Sequence, residues 1–159
     1  MVVQSTKLSI GKDFSVQSEI PANEVDRYFE DFEDFKALKP LKYEVHLVNQ
    51  GKFIAFEADV DTELELCCFR CGATFTREIK SHISLKLMEA SSVGDTDEIV
   101  LSEEDLDTIT YVAPNIELDD ILLESIYLEL DDECLCSPDC KGVCLNCGKN
   151  LNEGPCSCS

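Results

Sequence analysis

Residues 54–72 read I-A-F-E-A-D-V-D-T-E-L-E-L-C-C-F-R-C-G. Ile54, Phe56, Ala58, Val60, Thr62, Leu64 and Leu66 fall on every second position, with Glu57, Asp59, Asp61, Glu63 and Glu65 between them. A period of two with one apolar and one charged set is the pattern of a half-buried strand. This strand runs straight into Cys67, Cys68 and Cys71. Beyond them Phe75, Ile79, Ile83, Leu85 and Leu87 give a second strand. The two strands predict a long hairpin with Cys68 and Cys71 at its turn.

Upstream, Tyr43, Val45 and Leu47 alternate with Glu44, His46 and Val48, and Asn49-Gln50-Gly51 turns the chain into the long strand. Leu8, Ile10, Phe14, Val16 and Ile20 predict one or two earlier strands over 7–20, joined near Gly11-Lys12. After Pro21, the three- and four-residue steps of Val25, Tyr28, Phe29, Phe32 and Phe35 predict an amphipathic helix over 24–38, its aromatic stripe facing the core. Downstream, residues 89–110 read as an acidic loop holding a short strand at 99–101, with a last strand at 109–112. Residues 116–130 predict a helix with Leu118, Ile121, Leu122, Ile126 and Leu130 on one face and Asp119 and Asp120 at its positive N-terminus. His46 and His82 occupy ordinary strand positions and read as structural side chains. The expected class is therefore α+β: an antiparallel β-rich domain over 1–133 with one or two helices. A Cys-rich zinc-binding tail over 134–159 packs on or beside it.

That tail holds seven of the ten cysteines, in C-L-C-S-P-D-C-K-G-V-C-L-N-C-G-K-N-L-N-E-G-P-C-S-C from Cys134 to Cys158. Two cysteines separated by two residues and followed by Gly form a knuckle whose sulfurs converge on one tetrahedral ion. The chain has two, Cys68–Gly72 and Cys144–Gly148. A disulfide framework is the alternative and requires a secreted chain. Met1–Lys7 carries neither a basic region nor a long apolar run, so no signal peptide is expected. No window of eighteen apolar residues predicts a membrane span. The expected setting is a reducing cytoplasm, where clustered cysteines bind metal.

The formal charge of −20 disfavours nucleic-acid binding by the surface as a whole, because such affinity begins with phosphate neutralisation. The charge is uneven. From Glu89 to Glu133 there are sixteen carboxylates and no Lys or Arg, a stretch that suits a basic partner. Around the knuckles Arg70, Arg77, Lys80, Lys141 and Lys149 make the surface locally least acidic and are the candidate nucleic-acid contacts. The alternative is that they only offset thiolates and neighbouring acids.

C-F-R-C-G after a long strand, an acidic-start helix, and C-S-P-D-C-K-G-V-C-L-N-C-G-K-N-L-N-E-G-P-C-S-C together resemble the YceD-type large ribosomal RNA subunit accumulation protein family. The resemblance runs from about Leu41 onward and is most specific at Cys68–Gly72 and Asp139–Asn152. It implies a cytoplasmic, non-enzymatic factor needed for large-subunit rRNA to accumulate or mature. The doubled cysteines, Cys67 beside Cys68 and Cys134 before Cys136, depart from the family pattern.

Spacing divides eight cysteines into two sets. Cys144, Cys147, Cys156 and Cys158 can close one within the tail, and Cys136 and Cys140 can complete the early pair Cys68 and Cys71. Cys67 and Cys134 are left over, and each is near enough to a ligand to substitute for it. Two zinc ions are expected, since all-thiolate tetrahedral sites suit zinc; iron in a rubredoxin-like site is the runner-up. The expected partners are a basic ribosomal protein, large-subunit rRNA, or both, with no small-molecule substrate and no membrane. No Ser/His/Asp set, phosphate loop or paired catalytic acids point to an enzyme. A thiol-based redox or metal-handling protein is the competing reading, drawn from Cys67 and Cys134.

Overall fold

The computed structural model describes residues 1–30, 35–92, 107–130 and 134–158. In chain order the first elements are β1 (Val2–Gln4), β2 (Asp13–Ile20), α1 (Ala22–Tyr28), β3 (Phe35–Ala37), β4 (Leu41–Asn49) and β5 (Ile54–Cys67). They are followed by β6 (Thr74–Glu89), β7 (Thr108–Tyr111), β8 (Asn115–Glu117) and α2 (Leu118–Glu129).

β5 is the strand read from residues 54–72, and the sheet is built on it. β6 pairs with it antiparallel from Ile54↔Leu87 to Cys67↔Thr74. On its other edge β4 covers the first half, from Asn49↔Ile54 to Lys42↔Asp61, and β3 covers Leu64–Leu66. The six-stranded sheet runs β2-β4-β5-β6-β7 with β3 beside β5. Every pairing is antiparallel except β6–β7. The predicted α+β, antiparallel-dominated class with two helices is the class observed.

All seven predicted inward positions of β5 are buried, from Ile54 to Leu66. Thr62 is the one polar member, and its hydroxyl donates to the Lys39 carbonyl at 3.1 Å. Leu118, Leu122, Leu123 and Ile126 of α2 and Val25 and Phe29 at α1 close the core over this face. Ile121 and Leu130, expected on the buried face of α2, are only half-buried, and Leu123 is buried in their place.

Three expectations differ. The helix predicted over 24–38 ends at Tyr28, and Phe35 lies on β3, where it pairs with Leu66. Backbone pairing along the uncovered end of β5 replaces the helical turn, while the Phe35 ring still meets Phe29 at 4.3 Å between centroids. Phe32 lies outside the described residues. Within 7–20 only β2 is a full strand; Ile10 makes a single bridge to Asn49 and is 74% exposed. The strand expected over 109–112 is found as β7, but it is not the last, because Ile116 opens no helix and sits on β8 paired with β1. The short strand expected at 99–101 lies outside the described residues.

Phe56 is fully buried near the start of β5, whereas Leu145 in the tail is 98% exposed. Phe56→Ala should cost about 3–5 kcal/mol in urea denaturation. Leu145→Ala should stay within about 0.5 kcal/mol.

Candidate metal centre

Between β5 and β6 the chain reverses over Cys68–Ala73, with Cys68 N–H donating to the Ala73 carbonyl at 2.9 Å and Gly72 N–H to the Cys68 carbonyl at 2.8 Å. The tail repeats this turn: Cys144 N–H donates to Lys149 at 2.9 Å and Gly148 N–H to Cys144 at 2.8 Å. Each turn needs a left-handed residue, and Gly72 (φ 68°) and Gly148 (φ 72°) supply it. The same local chemistry thus builds two knuckles of the same shape.

The structure brings the predicted cysteines together in two groups. Cys68, Cys71, Cys136 and Cys140 form an inner cluster, Cys144, Cys147, Cys156 and Cys158 an outer one, and within each all four sulfurs lie within 4.8 Å of one another. In the inner cluster the Cys68–Cys140 and Cys71–Cys136 Sγ separations are both 3.7 Å. A tetrahedron with zinc–sulfur bonds of about 2.3 Å has edges of about 3.8 Å. A disulfide, by contrast, needs about 2.05 Å. The Cys144–Cys156 separation in the outer cluster is 3.4 Å. The inner cluster is largely buried; in the outer, Cys147 and Cys158 are exposed. Cys67 and Cys134 lie outside both groups.

Hydrogen bonds set the charge state of the inner sulfurs. Burial opposes ionisation of Cys68, yet backbone N–H groups of Cys136, Cys71 and Arg70 outweigh it and bring the thiol down to about 6. The Asn152 side chain, helped by the Gly142 backbone, lowers Cys140. The hydrogen bond with Cys140 and burial push Cys136 up to about 12. In the outer cluster the backbone N–H groups of Asn146 and Cys147 bring Cys144 down to about 6, while its bond to Cys147 raises Cys158. In each cluster sulfurs that favour the thiolate therefore sit beside sulfurs that resist it. A divalent cation in their midst would replace the protons and offset the crowded charge, so the donor set fits a metal ion.

The tail segment between the clusters touches the hairpin turn. A Cβ on Gly142 (φ 69°) would lie 3.0 Å from the Arg70 carbonyl oxygen, so the tail is seated directly on the hairpin turn. Phe69 N–H donates to the Cys134 carbonyl at 3.0 Å on the same turn.

The five candidate cationic contacts sit in different surroundings. Arg70 is exposed at the hairpin turn and Lys141 is exposed beside Cys140. Lys149 donates from Nζ to the Pro155 carbonyl at 3.0 Å and so closes the tail loop. Arg77 lies 5.6 Å over the Phe75 ring. Lys80 pairs with Glu78 at 2.7 Å, six residues and roughly 20 Å along β6 from its start. His82 bonds Asp59 and Glu57, both at 2.9 Å, and His46 bonds Asp13, all on the outer face of the sheet and in neither cluster. Two residues not singled out in the sequence stand out at the knuckle turns. Phe69 is 67% exposed and Leu145 is 98% exposed. Their signal was an apolar residue at the same position of each C-x-x-C.

The sequence profile of the Large ribosomal RNA subunit accumulation protein YceD family matches residues 56–159, from within β5 through both clusters. The chain belongs to the YceD family. Among curated YceD relatives, the Large ribosomal RNA subunit accumulation protein YCED homolog 1, chloroplastic, of Arabidopsis thaliana is 29% identical over 154 residues, 83% of this chain and 48% of the relative. The Zea mays protein of the same name is 27% identical over 142 residues, covering 75% and 48%. An uncharacterized protein of Mycobacterium bovis is 28% identical over 122 residues, covering 77% and 56%. The chain spans about half the length of the curated relatives it matches. No solved structure matches it.

Gly142 and Gly148 both hold positive φ, but only Gly142 has backbone behind it. Gly148→Ala should therefore cost about 1–2 kcal/mol of backbone strain alone. Gly142→Ala should cost about 1–3 kcal/mol more, because the tail must move off the hairpin turn. Thermal unfolding of the metal-loaded protein compares the two; equal losses would contradict the packing described.

Proposed function

We propose that this chain is a non-enzymatic, zinc-stapled factor of ribosome biogenesis that supports accumulation or maturation of large-subunit rRNA. It acts in the cytoplasm by binding a basic ribosomal protein, the rRNA, or both. The observation that carries this reading is the pair of four-sulfur clusters in a chain of the YceD family. Zinc is the first choice because all-thiolate tetrahedral sites suit it and no redox partner is evident in the sequence, with iron on the same four sulfurs as runner-up. Four protein ligands leave no open position for water, so each ion staples structure and does no chemistry. The inner zinc would join a domain over 1–133 to a tail over 134–159, drawing two sulfurs from each. Among the described residues no helix is long and apolar enough to cross a membrane.

The contact surface in this reading is the end of the molecule where the knuckles meet. Phe69 beside Arg70, with Lys141 and Leu145 on the facing knuckle, offers a ring for stacking and cations for phosphate. Arg77 and Lys149 extend it. The exposure of Cys147 and Cys158 favours the second reading, a thiol-based redox or metal-handling protein.

Arg70→Glu with Arg77→Glu, and separately Phe69→Ala, separate the cases in variants whose zinc content and Tm are unchanged. Loss of rRNA cross-linking in cells is the expected result for direct RNA contact. Unchanged cross-linking, with a basic ribosomal protein still co-purifying, makes that protein the partner. If neither RNA nor a ribosomal protein co-purifies at moderate salt, the ribosomal reading fails and the thiol reading takes its place.

A further inference from the structure

We propose that the two sulfur clusters work as one unit, with Asn152 as the positioning residue through which closure of the outer cluster holds metal in the inner one. The proposal rests on the reading above that both clusters bind zinc.

Asn152 belongs to the loop between Cys147 and Cys156, so its place depends on the outer cluster holding both ends of that loop. The loop carries a single 3-10 turn, Leu151–Glu153, whose start is capped by Asn150: its Oδ1 accepts from Asn152 N–H at 3.0 Å. Leu151 N–H donates to the Gly142 carbonyl at 2.9 Å, and Val143 bridges Asn150. The turn is thereby laid against the segment that follows Cys140.

There the Asn152 amide makes three hydrogen bonds, using both its N–H groups and its oxygen. Its Oδ1 accepts the Lys141 backbone N–H at 2.8 Å. Its Nδ2 donates to Asn150 Oδ1 at 2.9 Å and to the Cys140 Sγ at 3.3 Å. The partners fix which way the amide faces. The opposite orientation would set oxygen against the Asn150 oxygen and the sulfur, and nitrogen against an N–H. One side chain of the outer loop thus donates directly to a sulfur of the inner cluster. Cys68 and Cys140 otherwise receive backbone N–H groups from Cys136, Cys71, Arg70 and Gly142, none of which lies in that loop.

A donor to a coordinated thiolate withdraws charge from a centre that carries two net negative charges with zinc bound, and it fixes the sulfur's direction. Loss of such outer-shell partners typically costs about 10–100-fold in metal affinity. Opening the outer cluster frees the loop ends, displaces Asn152 and removes this donor from Cys140. A cap serving only its own turn would leave the inner metal indifferent to the outer.

Zinc release from the full chain to the chelator 4-(2-pyridylazo)resorcinol tests this. The parent should carry two zinc ions and release them in a fast phase from the exposed outer cluster and a slow phase from the inner. Cys156→Ser should keep one zinc and release it at least about 10-fold faster than the parent's slow phase. Asn152→Ala should keep two zinc ions and speed only the slow phase by a similar factor. In the double variant the two effects should not add, as expected of residues acting through one contact. Asn152→Asp retains all eight sulfurs and the acceptor for Lys141 but lacks the donor, so it should speed the slow phase even if Cys156→Ser fails to fold. A slow phase unchanged in Asn152→Ala and Asn152→Asp would overturn the coupling while leaving two zinc sites. A parent without zinc would overturn the metal reading and the coupling with it.

Discussion

Everything at the working end of this molecule depends on four sulfurs that meet from two distant parts of the chain. Cys68 and Cys71 come from the turn between β5 and β6, and Cys136 and Cys140 from the segment that follows α2. β5 and β6 form a hairpin of fourteen and sixteen residues, long enough to project past the core that α2 covers. Strand pairing gives that tip local order, and Phe75, which packs against both the main core and the sulfurs, links the two. Pinning the post-helical segment to the tip does two things at once. It ends the hairpin in a fixed place, and it seats the tail, through Gly142 on Arg70, as a second knuckle beside the first.

The charge distribution fits this division. The outer face of β5 is a row of carboxylates; its pairs, Lys39–Glu63 and His82 with Asp59 and Glu57, and the Lys80–Glu78 pair within β6 are all at the surface. Such pairs contribute little to stability. They temper a face whose formal role in a chain of net charge −20 is to stay solvated and to repel other anions. Anions are tolerated best at the knuckles, where Arg70 and Lys141 stand next to exposed apolar turns. The sheet face and the knuckle end therefore differ in charge, one acidic and the other mixed.

Much of this was legible in the sequence where the governing physics is local. The alternation over 54–66 assigned every inward residue of β5, because the strand is long and buried on one side only. The outer four cysteines followed from the reach of short loops, and the inner four from the pair that this left over. What escaped depends on partners far away in sequence. Phe35 sits at helical spacing from Phe29 and Phe32, and only the unpaired end of β5 turns it into a strand residue. β1 and β8 are three residues each, too short for any period to show, and exist because they pair with each other. The parallel approach of β7 to β6 has no sequence signal of its own. Leu123 is buried because α2 is covered on more than one side, which widens its apolar stripe. Asn152 is an ordinary turn residue until the fold brings Cys140 to within 3.3 Å of it.

The proposed staple is zinc held by these sulfurs in two closed, all-thiolate centres. X-ray absorption at the zinc edge of protein purified without added metal measures the coordination shell directly. The account predicts a single shell of about four sulfurs at about 2.3 Å, with no nitrogen or oxygen neighbour. A shell containing oxygen or nitrogen at about 2.0–2.1 Å, or protein that carries no zinc at all, would contradict it.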